Sequence, residues 1–158
     1  MTIKLVCIGK TKEAYARQGI DDYRRRIRRY VSLNYQELKA EKRRENTPDT
    51  EIQQREYECI QKALTPQDYV VALDEHGVQY SSVEFADFIS RCQMQGRIKT
   101  LTFVTGGATG FSRVFLQQAD HVVSLSKMTF PHQLCRLVLL EQVYRAYTIL
   151  AGEPYHKV

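Results

Sequence analysis

The chain has 158 residues, enough for one domain with a substantial hydrophobic core and too few for several. Its hydrophobic fraction of 43% is that of an ordinary globular protein, and no apolar run approaches the roughly 20 residues that cross a bilayer, which excludes a disordered chain and a spanning helix. Lys and Arg outnumber Asp and Glu by 23 to 18, a net charge of +5 that suits an acidic partner without choosing between nucleic acid and an anionic surface.

Residues 2–8 alternate like a strand and end at Gly9; the segment is too short for a signal peptide and lacks a small-residue cleavage site. Residues 12–30 have helical spacing, with Tyr15, Ile20, Tyr23, Ile27 and Tyr30 on one side. Between them lie Arg24, Arg25, Arg26, Arg28 and Arg29, which form either a solvated helix face or a phosphate-contacting stripe, because arginine forks onto phosphate oxygens. Residues 31–39 alternate as a second strand. Residues 40–50 are polar, and Asp49 or Thr50 caps a helix running to about Leu64, where Pro66 stops it. Tyr69–Asp74 is a continuous apolar run, as in a strand buried on both faces, and it ends in a turn, Glu75-His76-Gly77. Ser81 and Glu84 have the spacing of a capping box for a helix through about Gln95. A strand over 100–104, a short helix from Ser112, a strand over 122–125 and a long apolar helix from Pro131 to about Ala151 complete the chain.

This alternation predicts an α/β fold with a mostly parallel sheet and helices on both faces. The last helix is apolar on more than one side, more than a single sheet contact uses, which suggests a helix-mediated homodimer. Cys7, Cys59, Cys92 and Cys135 form no C-x-x-C pair and read as buried thiols in a reducing compartment; no zinc or other metal site is expected.

Two segments carry the chemical signal. Thr105-Gly106-Gly107-Ala108-Thr109-Gly110 follows a strand and opens a helix, as does Leu125-Ser126-Lys127-Met128-Thr129-Phe130-Pro131-His132. Glycines after a strand let backbone amides approach a ligand, although Gly-Gly is also a common tight connection. The spacing is Gly-Gly-x-x-Gly, late in the chain, with Asp120 too early for a ribose contact, so neither a Rossmann fingerprint nor a P-loop is present. Ligands of open α/β sheets bind beyond the carboxyl ends of the strands, so Leu73, Gly106 and Leu125–Phe130 compete for one site. Asp74 and Glu75 are either catalytic carboxylates or solvated turn residues, and they and His76 read first as solvated turn residues.

These two segments, the Leu73-Asp74…Gly77 turn and the terminal Tyr155-His156-Lys157 together resemble the ribosomal RNA large subunit methyltransferase H family, of the SPOUT class of S-adenosylmethionine-dependent enzymes, over essentially the whole chain. Thr105 stands where that family often has isoleucine, and it remains a β-branched residue at a strand end. The resemblance implies a single SPOUT domain over 1–158 with a trefoil knot over roughly 70–158, a rare exception to the rule against knots. It implies a cytoplasmic homodimer with no membrane or metal, which methylates N3 of a pseudouridine of large-subunit rRNA on the assembled 70S ribosome, with S-adenosyl-L-methionine as cofactor. By motif position, Leu73, Gly106, Leu125, Ser126, Lys127, Met128, Thr129 and Phe130 would bind the cofactor, with Gly107 and Gly110 shaping the loop. His156 is the first candidate for handling the N3 proton, with Tyr155 orienting the base and Arg136 in reach of the pocket. Arg24, Arg25, Arg28, His132, Arg145 and Lys157 are the candidate RNA contacts. Two alternatives stay open: a ribosome-associated factor that binds a nucleotide without chemistry, and a SPOUT enzyme acting on tRNA, against which the lack of room for an RNA-binding domain argues.

Overall fold

The computed structural model describes residues 1–157. Five parallel strands form one sheet in the spatial order Leu33–Leu38, Thr2–Ile8, Thr100–Thr105, Asp68–Gln79 and His121–Ser124. In chain order the elements are β1 (Thr2–Ile8), α1 (Ala14–Ile27), β2 (Leu33–Leu38), α2 (Asp49–Ala63), β3 (Asp68–Gln79), α3 (Ser82–Met94), β4 (Thr100–Thr105), α4 (Arg113–Gln118), β5 (His121–Ser124) and α5 (His132–Leu150). An all-parallel sheet must be covered on both faces, and the alternation of side chains along each strand divides its residues between two cores. Ile3, Leu5 and Cys7 of β1 and Leu101 and Phe103 of β4 pack with residues of α1, α3 and α5. Val6 and Ile8, with Val104 of β4, pack against Ile60 of α2 and Phe115 of α4. The expected α/β architecture is therefore present, with helices on both faces. Among the described residues no helix is long and apolar enough to cross a membrane.

Four local expectations change. The segment 74–77 does not end β3, which shifts register between Leu73 and Val78 and continues to Gln79. Val123 stands opposite both Leu73 and Val78. A Cβ on Gly77 would lie 2.6–2.7 Å from backbone atoms of Val122 and Val123, so only glycine lets the two chains approach this closely. Helix α2 starts at Asp49 with Pro48 at the N-cap and no side-chain cap, so Asp49 and Thr50 lie inside its first turn. Cys7 and Cys92 are buried, but Cys59 and Cys135 are only half-buried. Finally, the arginine run is not uniformly solvated: Arg24 is half-buried, 3.1 Å from Asp21 and stacked 4.9 Å over the Tyr35 ring. The Ser81–Glu84 capping box forms as expected.

Candidate active site

The carboxyl ends of β3, β4 and β5 open into a cleft of about 380 Å³, within the range of about 300–1,000 Å³ typical of small-molecule sites. One wall is Leu73, Asp74 and Glu75, where β3 leaves its register. The floor is the Gly106–Gly110 loop, in which Gly110 adopts a left-handed φ of +71° and donates its N–H to the Gly107 carbonyl at 3.1 Å. The opposite wall is the 124–130 segment, closed by His132 and Cys135 from the first turn of α5. Ser126 shapes that wall by accepting the Met128 N–H on its hydroxyl at 2.9 Å, while its carbonyl accepts from the Ser124 hydroxyl at 2.9 Å. The three strand ends that competed for a site in the sequence thus share one cleft. Of the ten cofactor-contact candidates, all except Lys127 line it.

The electrostatics of the cleft run against those of the chain. Its lining includes the carboxylates Asp74 and Glu75 and no lysine or arginine, although the chain carries +5 overall. Asp74 is held in place by accepting the backbone N–H of His76 at 3.0 Å, and the imidazole of His76 lies at the same distance. Leu73, Leu125, Met128 and Phe130 supply apolar surface, and the Thr109 hydroxyl beside them is buried without a hydrogen-bond partner. Partial desolvation, then the charge of Arg136, pulls the His132 imidazole below its ordinary pKa, which keeps it neutral near pH 7. Asp74 and Glu75, which read first as solvated turn residues, line the cleft where β3 leaves its register before continuing to Gln79.

Arg136 is not part of the cleft. It is 1% exposed, and its guanidinium donates to the Ile8 carbonyl and to Thr11 Oγ1 at 3.0 Å, with Glu37 3.6 Å away. It ties the end of β1 to α5, a structural position unlike the catalytic one expected for it.

The carboxyl-terminal candidates form a second cluster. Tyr155 donates its hydroxyl to Glu141 at 3.1 Å and lies 3.4 Å from the Tyr23 hydroxyl, with its ring edge-on to Tyr144. Arg145 stacks 4.8 Å from the Tyr155 ring, holds Glu141 at 2.6 Å and reaches His156 Nδ1 at 3.3 Å. Burial, followed by the neighbouring Tyr23 and Glu141, pushes the Tyr155 phenol well above its ordinary pKa, so it stays a neutral donor. A guanidinium only donates, so Nδ1 of His156 accepts and the neutral ring carries its proton on Nε2. In this arrangement His156 offers an N–H donor. Arg145 lies thirteen residues beyond His132 on α5, which separates the tail cluster from the cleft mouth by about 20 Å at 1.5 Å per residue. One chain does not bring the two together. Of the RNA-contact candidates, Arg25 and Arg28 are exposed on or beside the end of α1, Arg25 within 3.4 Å of Asp22, and Lys157 is exposed in the tail.

Comparison with known proteins bears on the family and the fold. Residues 1–156 match the family model described as "Predicted SPOUT methyltransferase". The chain is 46% identical to the ribosomal RNA large subunit methyltransferase H of Carboxydothermus hydrogenoformans and 44% identical to that of Clostridium botulinum (strain Loch Maree), each alignment covering 99% of this chain and 100% of the relative. A probable methylase family protein from Haemophilus influenzae shares the fold with a TM-score of 0.57 at 9% identity, over 95% of this chain and 66% of that one. By its full-length match and its sequence identity, the chain belongs to the SPOUT methyltransferases, in the ribosomal RNA large subunit methyltransferase H family.

Proposed function

We propose that this chain is a single-domain methyltransferase that uses S-adenosyl-L-methionine to methylate N3 of a pseudouridine in large-subunit rRNA of the 70S ribosome, in the cytoplasm and as a homodimer. The observation that carries the cofactor reading is the charge of the cleft: two carboxylates and no lysine or arginine, in a basic chain. A sulfonium-bearing ligand suits such a site, whereas a phosphate-bearing nucleotide does not, and this favours the enzyme over the nucleotide-binding factor. The residues fit the group: Leu73, Leu125 and Phe130 would enclose the adenine, the unpartnered Thr109 hydroxyl and the loop backbone would bond its polar edges, and Asp74 and Glu75 would face the positive end. When bound, the cofactor would supply an electrophilic methyl group; with Nδ1 of His156 accepting from Arg145 and Nε2 carrying a proton, His156 does not take the N3 proton as expected of it, and that proton passes to solvent. The names of the relatives supply the rRNA target.

The chain's own contribution is orientation and charge. Arg145 and the Nε2–H of His156 donate toward the carbonyl flanking N3 as negative charge develops on the imide, and Tyr155 holds the cluster in place. Because the cluster and the cleft lie at opposite ends of α5, a homodimer is the arrangement that would bring a tail and a cleft together. Two copies packed antiparallel along the half-buried Leu134 and Val138 would set the tail of one beside the cleft of the other. Arg25, Arg28 and Lys157 extend the basic footprint toward rRNA. The carboxyl-terminal knot over roughly 70–158 belongs to the same reading.

Labelled S-adenosyl-L-methionine with 70S ribosomes, free 50S subunits or naked rRNA from cells lacking the native enzyme tests this. Methyl transfer to a pseudouridine on 70S particles, lost in His156→Ala, is expected. Cofactor binding without transfer to any RNA would sink the rRNA assignment.

A further inference from the structure

Glu56 is the buried carboxylate that the site described above does not use. It lies on the inner face of α2 between Ile52 and Ile60, is 5% exposed, and has no cation at hydrogen-bond distance. Its Oε1 accepts the backbone N–H of Glu41 at 3.3 Å, and its Oε2 is buried without a partner. The carboxyl presses on the floor of the cleft from behind: a Cβ added to Gly107 would lie 2.5 Å from Oε2 and 2.8 Å from Oε1. Gln53, one turn earlier on α2, reaches the same loop and donates to the Thr109 carbonyl at 2.6 Å. The charged groups nearest to it are Glu41 of the preceding connection, a like charge, and Arg55 on α2 itself, which is engaged by Glu41 at 3.6 Å and by Glu51. A charged side chain placed on the apolar face of a helix costs stability, and isoleucine would fill that row better. Such a residue is retained where its shape and polar edge do something an isoleucine would not.

We propose that Glu56 and Gln53 form a brace on α2 that sets the height of the Gly106–Gly110 loop under the cofactor, and that residue 107 is glycine because the Glu56 carboxyl occupies the space of its side chain. The brace links three pieces of chain. The 39–48 connection holds Glu56 through the Glu41 amide, Glu56 supports Gly107, and Gln53 fixes Thr109. Glu56 touches neither cofactor nor substrate and is a positioning residue. The proposal rests on the reading of the cleft as the S-adenosyl-L-methionine site.

Two measurements on the full chain test it: the affinity for S-adenosyl-L-methionine by calorimetry, and hydrogen exchange of the 106–110 amides in the free protein. Glu56→Ala is expected to speed exchange in the loop and to weaken the cofactor roughly tenfold, with the loss carried in KM for the cofactor rather than in kcat. Glu56→Gln keeps the shape of the brace and restores both. Gly107→Ala weakens binding by a similar factor, and Gly107→Ala combined with Glu56→Ala is no worse than either change alone, because both disturb one contact. Additive losses, or loop exchange unchanged in Glu56→Ala, would overturn the brace. If the parent chain binds no S-adenosyl-L-methionine, the reading of the cleft fails instead, and the exchange data still decide the brace. Should Glu56→Ala fail to fold, Gln53→Ala carries the same expectation through the Thr109 carbonyl.

Discussion

Replacing Arg136 by alanine separates a structural guanidinium from a catalytic one. The side chain donates to the Ile8 carbonyl and to the Thr11 hydroxyl and faces Glu37. Without it, a buried carbonyl loses its donor, a loss of about 1–3 kcal/mol. With the cavity added, the total reaches about 3–5 kcal/mol, while the exposed Glu37 keeps its bonds from Thr11 and Tyr35 and adds little. For a chain of this size each kcal/mol moves Tm by about 2–4 °C, so a fall of about 6–20 °C is expected. Calorimetry or circular dichroism at one fixed protein concentration reads it, since the Tm of a dimer depends on concentration. Arg136→Lys should fall between, because lysine keeps the charge but cannot serve Ile8 and Thr11 at once. Arg136→Ala with a Tm within about 2 °C of the parent and no methyl transfer would refute the reasoning and return Arg136 to the substrate.

Gly77→Ala forces a Cβ against the backbone of β5, and urea denaturation should show a loss of at least about 1–3 kcal/mol; a neutral result would mean that the two strands do not approach as described. Burial, and to a smaller extent Glu41, raises the pKa of Glu56 above the ordinary value. The folded state therefore holds that proton more tightly than the unfolded chain. Its stabilising effect is complete below about pH 4.3 and is lost as pH rises through the higher native value. Glu56→Gln should thus gain stability over the parent between pH 4 and pH 8, and a constant difference in Tm across that range would contradict the burial argument. Asp74→Asn and Glu75→Gln should each weaken S-adenosyl-L-methionine about 2–10-fold, less at high salt, with Asp74 the larger because its side chain is 17% exposed. Unchanged affinity in both, read by titration calorimetry, would remove the electrostatic basis for the cofactor.

The strand ends were legible because glycine and proline punctuate them: Gly106, Gly107 and Gly110 on one side and Pro131 on the other marked the two loops that meet in the cleft. The capping box was legible because Ser81 and Glu84 meet within one turn. What escaped depends on partners distant in sequence. Arg136 looks like a helix-surface residue until the Ile8 carbonyl, 128 positions earlier, is placed beside it. Glu56 breaks an apolar row for a reason that lies in the 106–110 loop. Asp74-Glu75-His76-Gly77 has turn chemistry, and nothing local says that the strand resumes afterward.

The resumption of β3 has a consequence for how this fold can vary. Residues on either side of the 74–77 excursion are pinned opposite the same β5 residue, Val123, and Gly77 is wedged against its backbone. The three positions between the pins, Asp74 to His76, are therefore insulated from the sheet. They can be exchanged to change the charge and shape of the cleft wall while the strand register on both sides stays as it is, which makes this short arc the place where ligand preference can drift without cost to the core.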